Sequence, residues 1–269
     1  MLRAALTIAG SDPSGGAGIQ ADLKTFHQFG VYGQAVITLI TVQNTMTVER
    51  VECLRADLVA QQIGAVLGDI RPAAAKTGAL GNRAVVEAVA SAAEAFDFPL
   101  VVDPVMISKH GVPLMAEGAR LAVRQHLIPH AFLLTPNLDE AEALVGFEVQ
   151  SIESMRRAAV RLCEMGAKAA LVKGGHLSGS ATDVFFDGSK FREFRAKRVE
   201  TKHTHGTGCT YSAAIAAGLA LGQPLEESVT AAKLFIDAAI RGNPGLGRGS
   251  GPVNHWAEVE RIEGGESFA

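Results

Sequence analysis

Apolar runs and amphipathic stretches alternate along most of the chain. Six of the runs lack the period-two pattern of a half-exposed strand, so they predict strands buried on both faces. These runs span residues 4–9, 35–40, 73–76, 100–103, 132–135 and 169–173. The amphipathic stretches predict helices at residues 17–28, 58–67, 84–95, 116–126, 138–144 and 154–165. A strand followed by a helix, repeated in this way, predicts an α/β fold with a mostly parallel central sheet and helices on both faces.

The pattern changes in the last third of the chain. Residues 182–194 hold two strand-like runs around Asp187-Gly188, which predicts a small antiparallel hairpin. Two closing helices are predicted after it, at residues 210–221 and 225–241. No internal repeat or long linker interrupts the sequence. We therefore expect a single domain over residues 1–256, followed by a polar C-terminal tail at residues 257–269.

Composition narrows the class of protein. The chain has 269 residues, of which 48% are hydrophobic and 20% are charged, and its formal net charge is −3. A chain of this length and hydrophobic content can bury a core that needs no disulfide or metal. The absence of a Lys/Arg run predicts that the protein binds no nucleic acid. No apolar stretch approaches the ~18 residues of a membrane-spanning helix, so no membrane partner is expected. The 3 cysteines are odd in number and far apart, which suits a reducing compartment, and we expect a cytoplasmic protein.

Polar and glycine residues follow the predicted strands. They lie at residues 10–12, 43–44, 77–78, 103–104, 136–137 and 174–175. The carboxyl ends of parallel strands meet at one edge of a sheet, where ligands bind in open α/β folds. Each position alone is also explained by ordinary turn chemistry. Their joint placement favours a ligand site.

The first glycine cluster is GSDPSGGAGIQAD, residues 10–22. It is not a Walker loop, because no Gly-Lys-Ser/Thr follows. It is a poor dinucleotide fingerprint, because the second predicted strand ends in Gln43-Asn44 without an acid for a ribose. A turn rich in backbone groups remains, able to approach a small ligand closely, with Asp22 in the helix that follows. A plain tight turn explains this motif equally well.

The second cluster is THGTGCT, residues 204–210. Glycines before a helix leave backbone N–H groups free, and the helix dipole favours an anion there. Such a site suits the charge on a transferring phosphoryl group. The same dipole favours Cys209 as a thiolate that could accept a proton, whereas a buried packing cysteine is the alternative. A cysteine hydrolase using His205 is less favoured, because no third group orients the imidazole.

The third cluster, TPNLDEAEAL at residues 135–144, reads as a capped helix start. Asn137 suits the N-cap and Glu140 the third helical position, which is an ordinary arrangement. The functional alternative is a Mg²⁺ site next to phosphates, which Asp103 could join. Lys173 precedes two glycines at a strand end, where it is either a phosphate contact or a solvated charge.

In combination, these motifs resemble the ribokinase superfamily and, within it, the vitamin-kinase branch that includes bacterial hydroxymethylpyrimidine/phosphomethylpyrimidine kinases. The segments that carry the resemblance are LTIAGSDPSGGAGIQADLKTF (6–26), VQNT (42–45), KTGAL (76–80), VVDPVM (101–106), TPNLDEA (135–141), VKGGH (172–176), THGTGCT (204–210) and GPVNHW (251–256). The resemblance implies a single-domain ribokinase-like fold and a homodimer. It also implies two successive phosphorylations of 4-amino-5-hydroxymethyl-2-methylpyrimidine, with Mg²⁺ and ATP, in thiamine biosynthesis.

The resemblance also assigns roles to individual residues. The general base would be Cys209, within an anion hole formed by Gly206, Thr207, Gly208 and Cys209. The pyrimidine would contact Gly10, Asp22, Gln43, Ala79 and Val105. ATP would contact Lys173, Asn137, Thr207 and Lys233, and the metal would be held by Asp103 and Glu140. Many family members have methionine where this chain has Ala79.

Several alternatives stay open at this point. The first is a pyridoxal/pyridoxine kinase of the same branch, against which Gln43 argues, because an amide matches the donor and acceptor edge of an aminopyrimidine. A cysteine-dependent hydrolase and a vitamin sensor without catalysis are the others. Residues 107–113 are expected to form a mobile flap.

Overall fold

In the described part of the chain, the central sheet has nine strands. The computed structural model describes residues 2–175 and 181–259. The strands are β1 (Ala4–Ser11), β2 (Tyr32–Gln43), β3 (Val48–Cys53), β4 (Ala74–Thr77), β5 (Leu100–Val102), β6 (Leu133–Leu134), β7 (Ala170–Val172), β8 (Ala181–Phe186) and β9 (Phe191–Ala196). Their order is β3-β2-β1-β4-β5-β6-β7-β8-β9. Neighbours from β2 to β7 pair in parallel, and β3, β8 and β9 join antiparallel. The predicted parallel sheet and the hairpin are both confirmed.

The inner strands bury both of their faces, which explains their continuous apolar runs. In β1, Leu6 and Ile8 belong to one hydrophobic core, and Ala5 belongs to the core on the other side of the sheet. In β5, Val101 and Val102 divide in the same way. Successive side chains of a strand point to opposite faces, so a strand between two helical layers has no polar face.

Helices cover both faces of the sheet. They are α1 (Gly18–Gln28), α2 (Ala56–Leu67), α3 (Arg83–Ala93), α4 (Glu117–Ala122), α5 (Leu138–Val145), α6 (Ile152–Glu164), α7 (Thr207–Ala220) and α8 (Leu225–Arg241). Helices α2 to α6 enclose the first core, and α1, α7 and α8 enclose the second. Among the described residues, no helix is both long enough and apolar enough to cross a bilayer.

Helix α7 is the most deeply buried of these helices. Eleven of its residues, from Thr210 to Ala220, are buried, and most of them are alanine or another small residue. It packs against α1, α8 and the strands β1, β4 and β5. Small side chains allow this close approach on every side. The helix therefore holds its N-terminus at a fixed place relative to the sheet.

Three features differ from the sequence-based expectations. Strand β3 was not predicted, because three of the six residues of Val48–Cys53 are charged and the segment has neither a continuous apolar run nor strict alternation. Strand β2 begins at Tyr32 and extends to Gln43. Helix α7 begins three residues early, at Thr207, so Cys209 lies inside its first turn.

The expected tail is attached at its start. Ala257 is buried, and its carbonyl accepts a hydrogen bond from Gln28 Nε2 at 2.9 Å. Residues 260–269 of the predicted tail lie outside the described part of the chain.

Candidate active site

A cavity of about 580 Å³ lies along the carboxyl ends of the parallel strands. Its wall includes every predicted site residue except Asp22. Those residues are Gly10, Gln43, Ala79, Val105, Asp103, Asn137, Glu140, Lys173, Gly206, Thr207, Gly208, Cys209 and Lys233. The polar positions after the strands thus meet in one place, as expected for an open parallel sheet.

Asp22 corrects one prediction, because it does not reach the cavity. Both of its carboxylate oxygens lie 2.8 Å from Lys76 Nζ, and Oδ2 also accepts from Thr7 Oγ1 at 2.6 Å. Asp22 and Lys76 are fully buried. Asp22 lies one turn into α1, where its side chain faces the sheet rather than the ligand. A direct contact between Asp22 and a substrate is therefore not available in this structure.

The buried pair is held together by its charges. Burial raises the pKa of the Asp22 carboxyl, and the Lys76 ammonium acts in the opposite direction. Burial disfavours the charged form of Lys76, but Asp22, Cys209 and Asp103 together outweigh it and raise the pKa of the amine. Lys76 remains protonated beneath the cavity, and its positive charge lowers the pKa of the Cys209 thiol.

The N-terminus of α7 lies at the place where the anion hole is predicted. Gly206, the N-cap residue, has φ 79°, and no side chain caps this end of the helix. Uncapped first-turn N–H groups remain available for a ligand. A Cβ atom placed on Gly208 would lie 3.4 Å from Lys173 Nζ and 3.7 Å from Asp103 Oδ2. The helix end, the lysine and the carboxylate therefore surround the same space.

Cys209 corrects a second expectation, because burial outweighs the helix dipole. Burial raises the pKa of the Cys209 thiol to about 11, whereas Lys76 and the Gly18 N–H lower it in part. Cys209 lines the cavity and is half-buried. At neutral pH the resting side chain is a thiol, not the thiolate that its position at a helix N-terminus predicts.

His205 does not pair with the cysteine. Its Nε2 atom lies 2.8 Å from Asp12 Oδ2, in a buried hydrogen bond. The imidazole is committed to this carboxylate. Because His205 is bonded to Asp12 rather than to Cys209, the structure argues against a cysteine hydrolase that uses His205.

Lys173 and two carboxylates form the charged side of the cavity. Lys173 Nζ lies 2.8 Å from Asp103 Oδ1, which also accepts from Thr135 Oγ1 at 3.2 Å. Asn137 and Glu140 form a reciprocal capping box, with both hydrogen bonds at 2.9 Å. Burial and the nearby charge of Asp103 raise the pKa of Glu140 to about 7, although Lys173 opposes them. Glu140 therefore caps the start of α5 and is at the same time part of the charged cluster with Asp103 and Lys173.

The donor set of this cluster fits Mg²⁺. Asp103 and Glu140 both line the cavity, and the charge of Asp103 disfavours the ionised form of Glu140. Magnesium prefers oxygen ligands and binds through one or two carboxylates together with waters and phosphates. Two carboxylates that line one cavity beside the Lys173 ammonium meet that requirement.

Lys233 is more buried than its place in α8 suggests. Its Nζ lies 2.6 Å from Asp183 Oδ2 and 5.9 Å from the centre of the Tyr211 ring. Ile236 and Ile240 lie on the same helical face and also line the cavity. This face therefore combines a neutralised cation with apolar surface. His176, the last residue of the VKGGH motif, lies outside the described residues.

Two further parts of the cavity wall stand out. Asp12, which we did not single out from the sequence, accepts hydrogen bonds from the N–H groups of Ser14 and Ala17, each at 2.8 Å. An Asp two residues before a Ser in a glycine-rich turn is the signal that could have identified it. Residues 107–113 form a short antiparallel bridge between Ile107 and Pro113 at the wall of the cavity. Their mobility stays a prediction.

Known proteins are similar to this chain in sequence and in fold. A family model described as phosphomethylpyrimidine kinase matches residues 12–254. The hydroxymethylpyrimidine/phosphomethylpyrimidine kinase of Rhizobium meliloti (strain 1021) is 49% identical over 260 residues, covering 95% of this chain and 98% of the relative. The solved pyridoxal kinase from Staphylococcus aureus in complex with AMP-PCP and pyridoxal has a TM-score of 0.88 and 37% identity, covering 98% of this chain and 97% of that chain.

A phosphomethylpyrimidine kinase from Clostridium difficile 630 has also been solved. It has a TM-score of 0.79 and 41% identity, covering 88% of this chain and 99% of that chain. The fold of the present chain is therefore that of the ribokinase-like vitamin kinases. The chain belongs to the phosphomethylpyrimidine kinase family.

Proposed function

We propose that the protein uses ATP to phosphorylate 4-amino-5-hydroxymethyl-2-methylpyrimidine and then its monophosphate, as a step of thiamine biosynthesis. One observation carries the proposal: a single cavity brings together the Gln43 amide, the uncapped N-terminus of α7 and the charged Lys173–Asp103 cluster. This arrangement supplies an acceptor site and a phosphate site side by side. The chain is a phosphotransferase by family, and its substrate is the finer part of the proposal.

The acceptor side of the cavity is narrow and mostly apolar. Gly10, Leu39, Ala79 and Val105 line it together with Gln43. A Cβ atom on Gly10 would lie 2.6 Å from Leu39 Cδ1, so only glycine leaves this wall in place. Apolar walls suit the flat face of a pyrimidine, and the Gln43 amide offers a donor and an acceptor to its polar edge.

The phosphate side acts through charge rather than covalent chemistry. In phosphoryl transfer, catalysis comes mainly from positioning and from electrostatic stabilisation of the transferred group. The Lys173 ammonium and the first-turn N–H groups of α7 provide both. Asn137, Thr207 and Lys233 extend this side of the cavity towards the apolar face of α8, which suits a nucleobase.

Asp103 and Glu140 would hold Mg²⁺, which when bound neutralises charge on the ATP phosphates. Burial and the charge of Asp103 raise the pKa of Glu140 to about 7, and a cation beside this carboxylate would favour its ionised form. Lys173 keeps Asp103 oriented through their 2.8 Å hydrogen bond. These residues position the donor phosphates against the N-terminus of α7.

Cys209 would accept the proton of the hydroxymethyl group in the first step. The group that attacks in the second step is a phosphate oxygen, which carries charge already and needs no base. The Lys76 ammonium and the Gly18 N–H favour the thiolate once it forms, since both lower the pKa of the thiol. The two steps therefore differ in their need for Cys209.

The other elements of the proposal follow from resemblance to the family. They are a homodimer and a location in the cytoplasm. Light scattering after size-exclusion chromatography measures the assembly, and a mass of one chain would contradict the homodimer.

Pyridoxal kinase is the second candidate, since solved pyridoxal kinases share the fold at 37% identity. The test is ATP consumption with hydroxymethylpyrimidine and, in parallel, with pyridoxal, with products identified by mass. A pyrimidine that gains two phosphates in sequence is expected. Turnover of pyridoxal alone would contradict the proposal and would retain only the fold and the type of reaction.

A matched variant sharpens the comparison. Gln43→Glu keeps the length of the side chain but removes the amide donor, so it should reduce pyrimidine turnover. Gln34→Glu provides the control, because Gln34 lies in the same strand but outside the cavity.

A further inference from the structure

Two glycine-rich loops touch each other at the mouth of the cavity. We define the glycine loop as residues 10–18 and the anion loop as residues 204–209. A Cβ atom on Gly206 would lie 1.7 Å from Gly16 O, and one on Gly16 would lie 2.6 Å from His205 Cδ2. These distances leave no space for any side chain between the loops. The backbones of the glycine loop and the anion loop, which border the proposed acceptor and phosphate sites, are therefore in direct contact at Gly16 and Gly206.

Asp12 organises the glycine loop from within. Its carboxylate accepts from the Ser14 and Ala17 N–H groups at 2.8 Å, and its own N–H donates to Gln20 Oε1 at 2.8 Å. Burial opposes the ionised form, but hydrogen bonds from His205, Gln43 and Ser14 outweigh it and hold the pKa of Asp12 well below its usual range. The Asp12 carboxyl group is therefore ionised at neutral pH, so its oxygens can only accept hydrogen bonds.

His205 supplies the connection to the anion loop. Because ionised Asp12 can only accept, the His205 Nε2 atom must carry the proton in their 2.8 Å hydrogen bond. The backbone of His205 is fixed as well, since its N–H donates to Gly251 O at 3.0 Å and its carbonyl accepts from Val253 N at 3.3 Å. The next residue is Gly206, the N-cap of α7. The Asp12–His205 hydrogen bond therefore ties the glycine loop to the residue that precedes the N-cap of α7.

We propose that the Asp12–His205 hydrogen bond is a latch that sets the distance and angle between the acceptor hydroxyl and the anion hole. Asp12 and His205 are positioning residues in this scheme, and both act through the backbone of the loops that they join. The inference rests on the proposed function, because it requires phosphoryl transfer between these two sites. A latch of this kind affects the rate within the bound complex more than the binding of either substrate, since small misplacements of reacting groups lower rates strongly.

The first test compares His205→Ala with His205→Gln. The glutamine amide can place an N–H near the position of Nε2 and donate to Asp12, whereas alanine cannot. We expect His205→Ala to lower kcat by roughly 10- to 100-fold, while KM for ATP and for the acceptor change by less than about 3-fold. His205→Gln should recover most of the loss. Calorimetric titration with AMP-PCP should give the same affinity for all three proteins.

The second test is a double-mutant cycle in kcat. Asp12→Asn should lower kcat by a factor similar to that of His205→Ala, and the double variant should be no slower than the slower single variant, because both changes remove one interaction. Circular dichroism and thermal melting identify variants that fail to fold. If His205→Ala does not fold, the cycle is run with His205→Leu, which is close to histidine in size but cannot donate a hydrogen bond, and Asp12→Asn.

Three outcomes would overturn the inference. A rise in KM at unchanged kcat would make Asp12 or His205 a ligand contact. Multiplying losses in the double variant would make the two residues independent. Lower melting temperatures with unchanged kcat would make the hydrogen bond a structural clasp only. Wild-type protein that phosphorylates neither the pyrimidine nor pyridoxal would instead contradict the proposed function, and the inference would fall with it.

Discussion

Cys209 shows how strongly one residue depends on its surroundings. Its position at the N-terminus of α7 favours a thiolate, whereas burial raises its pKa to about 11. At neutral pH only about one thiol in 10⁴ is ionised before substrate binds. Proton transfer to this side chain should therefore become easier as the pH rises.

This argument predicts different behaviour of the two phosphorylation steps. Cys209→Ala should impair the first step far more than the second, because only the first needs a base. In the wild type, kcat/KM for the first step should rise between pH 7 and pH 9, and that of the second should change little over the same range. The measurement follows each product separately by mass. Cys163→Ala is the control, since Cys163 lies in α6 outside the cavity. Equal losses in both steps would mean that Cys209 shapes the pocket instead.

The Lys76–Asp22 pair gives a second prediction at the scale of single residues. Lys76→Met leaves a fully buried carboxylate without its counter-charge, which costs about 3–5 kcal/mol of unfolding free energy. The double variant Lys76→Met/Asp22→Asn should be more stable than the single one, because the uncompensated charge is gone. Urea denaturation at pH 7 measures both. A loss below about 1 kcal/mol for Lys76→Met would contradict a charged pair.

The limits of the sequence are clearest for these same residues. Local sequence motifs identify four residues that line the cavity: Gly206, Cys209, Lys173 and Glu140. Asp22 carries a motif signal too, but its contact with Lys76 joins residues 54 positions apart, and no local pattern reports it. The Asp12–His205 contact spans 193 positions and was missed for the same reason.

At the scale of elements, the strength of the pattern decides what can be predicted. Buried inner strands produce continuous apolar runs, so β1, β4, β5, β6 and β7 could be located from sequence. Strand β3 lies at an edge of the sheet and is half charged without strict alternation, so neither of the two strand patterns identifies it. Helix α7 is buried on all sides and made of small residues, so it lacks the amphipathic period that would show where it starts.

The start of α7 also carries a prediction. Gly206→Ala forces alanine into a left-handed conformation at φ 79° and places its Cβ against Gly16 O. We expect a loss of more than about 2 kcal/mol in unfolding free energy, and a fall in kcat of roughly 100-fold in the protein that remains folded. Gly64→Ala in the middle of α2 is the matched control, since a Cβ there meets nothing within 4 Å. It should stabilise the protein by up to about 1 kcal/mol. Similar effects of the two changes would contradict the role of the Gly206 conformation.

At the scale of the whole molecule, His255 links the C-terminal segment to the pH dependence of folding. It is buried, and its Nε2 lies 3.1 Å from Thr210 Oγ1 in α7. Burial first, and then Lys24 and His205, lower the pKa of His255 to about 4. The unfolded chain, with a pKa near 6.5, binds more protons between these values. The contribution to stability is therefore complete above about pH 6.5 and is lost as the pH falls towards 4, by about 3 kcal/mol.

Chemical denaturation of the wild type and of His255→Gln between pH 7.5 and pH 4.5 tests this linkage. Glutamine can keep the contact with Thr210 but does not titrate, so the variant should lose less stability on acidification. His126→Gln, at an exposed position, should follow the wild type. Parallel pH curves for the wild type and His255→Gln would exclude His255 as the cause.

The enclosure of α7 has a consequence for how this protein can evolve. A larger side chain on the buried length of the helix would need compensating changes in α1, α8 and the sheet at the same time, and single steps of that kind are rarely tolerated. The walls contributed by loops, such as residues 105–111, face the cavity from one side only. Divergence towards a different substrate is therefore expected to accumulate in those loops, while α7 stays nearly unchanged.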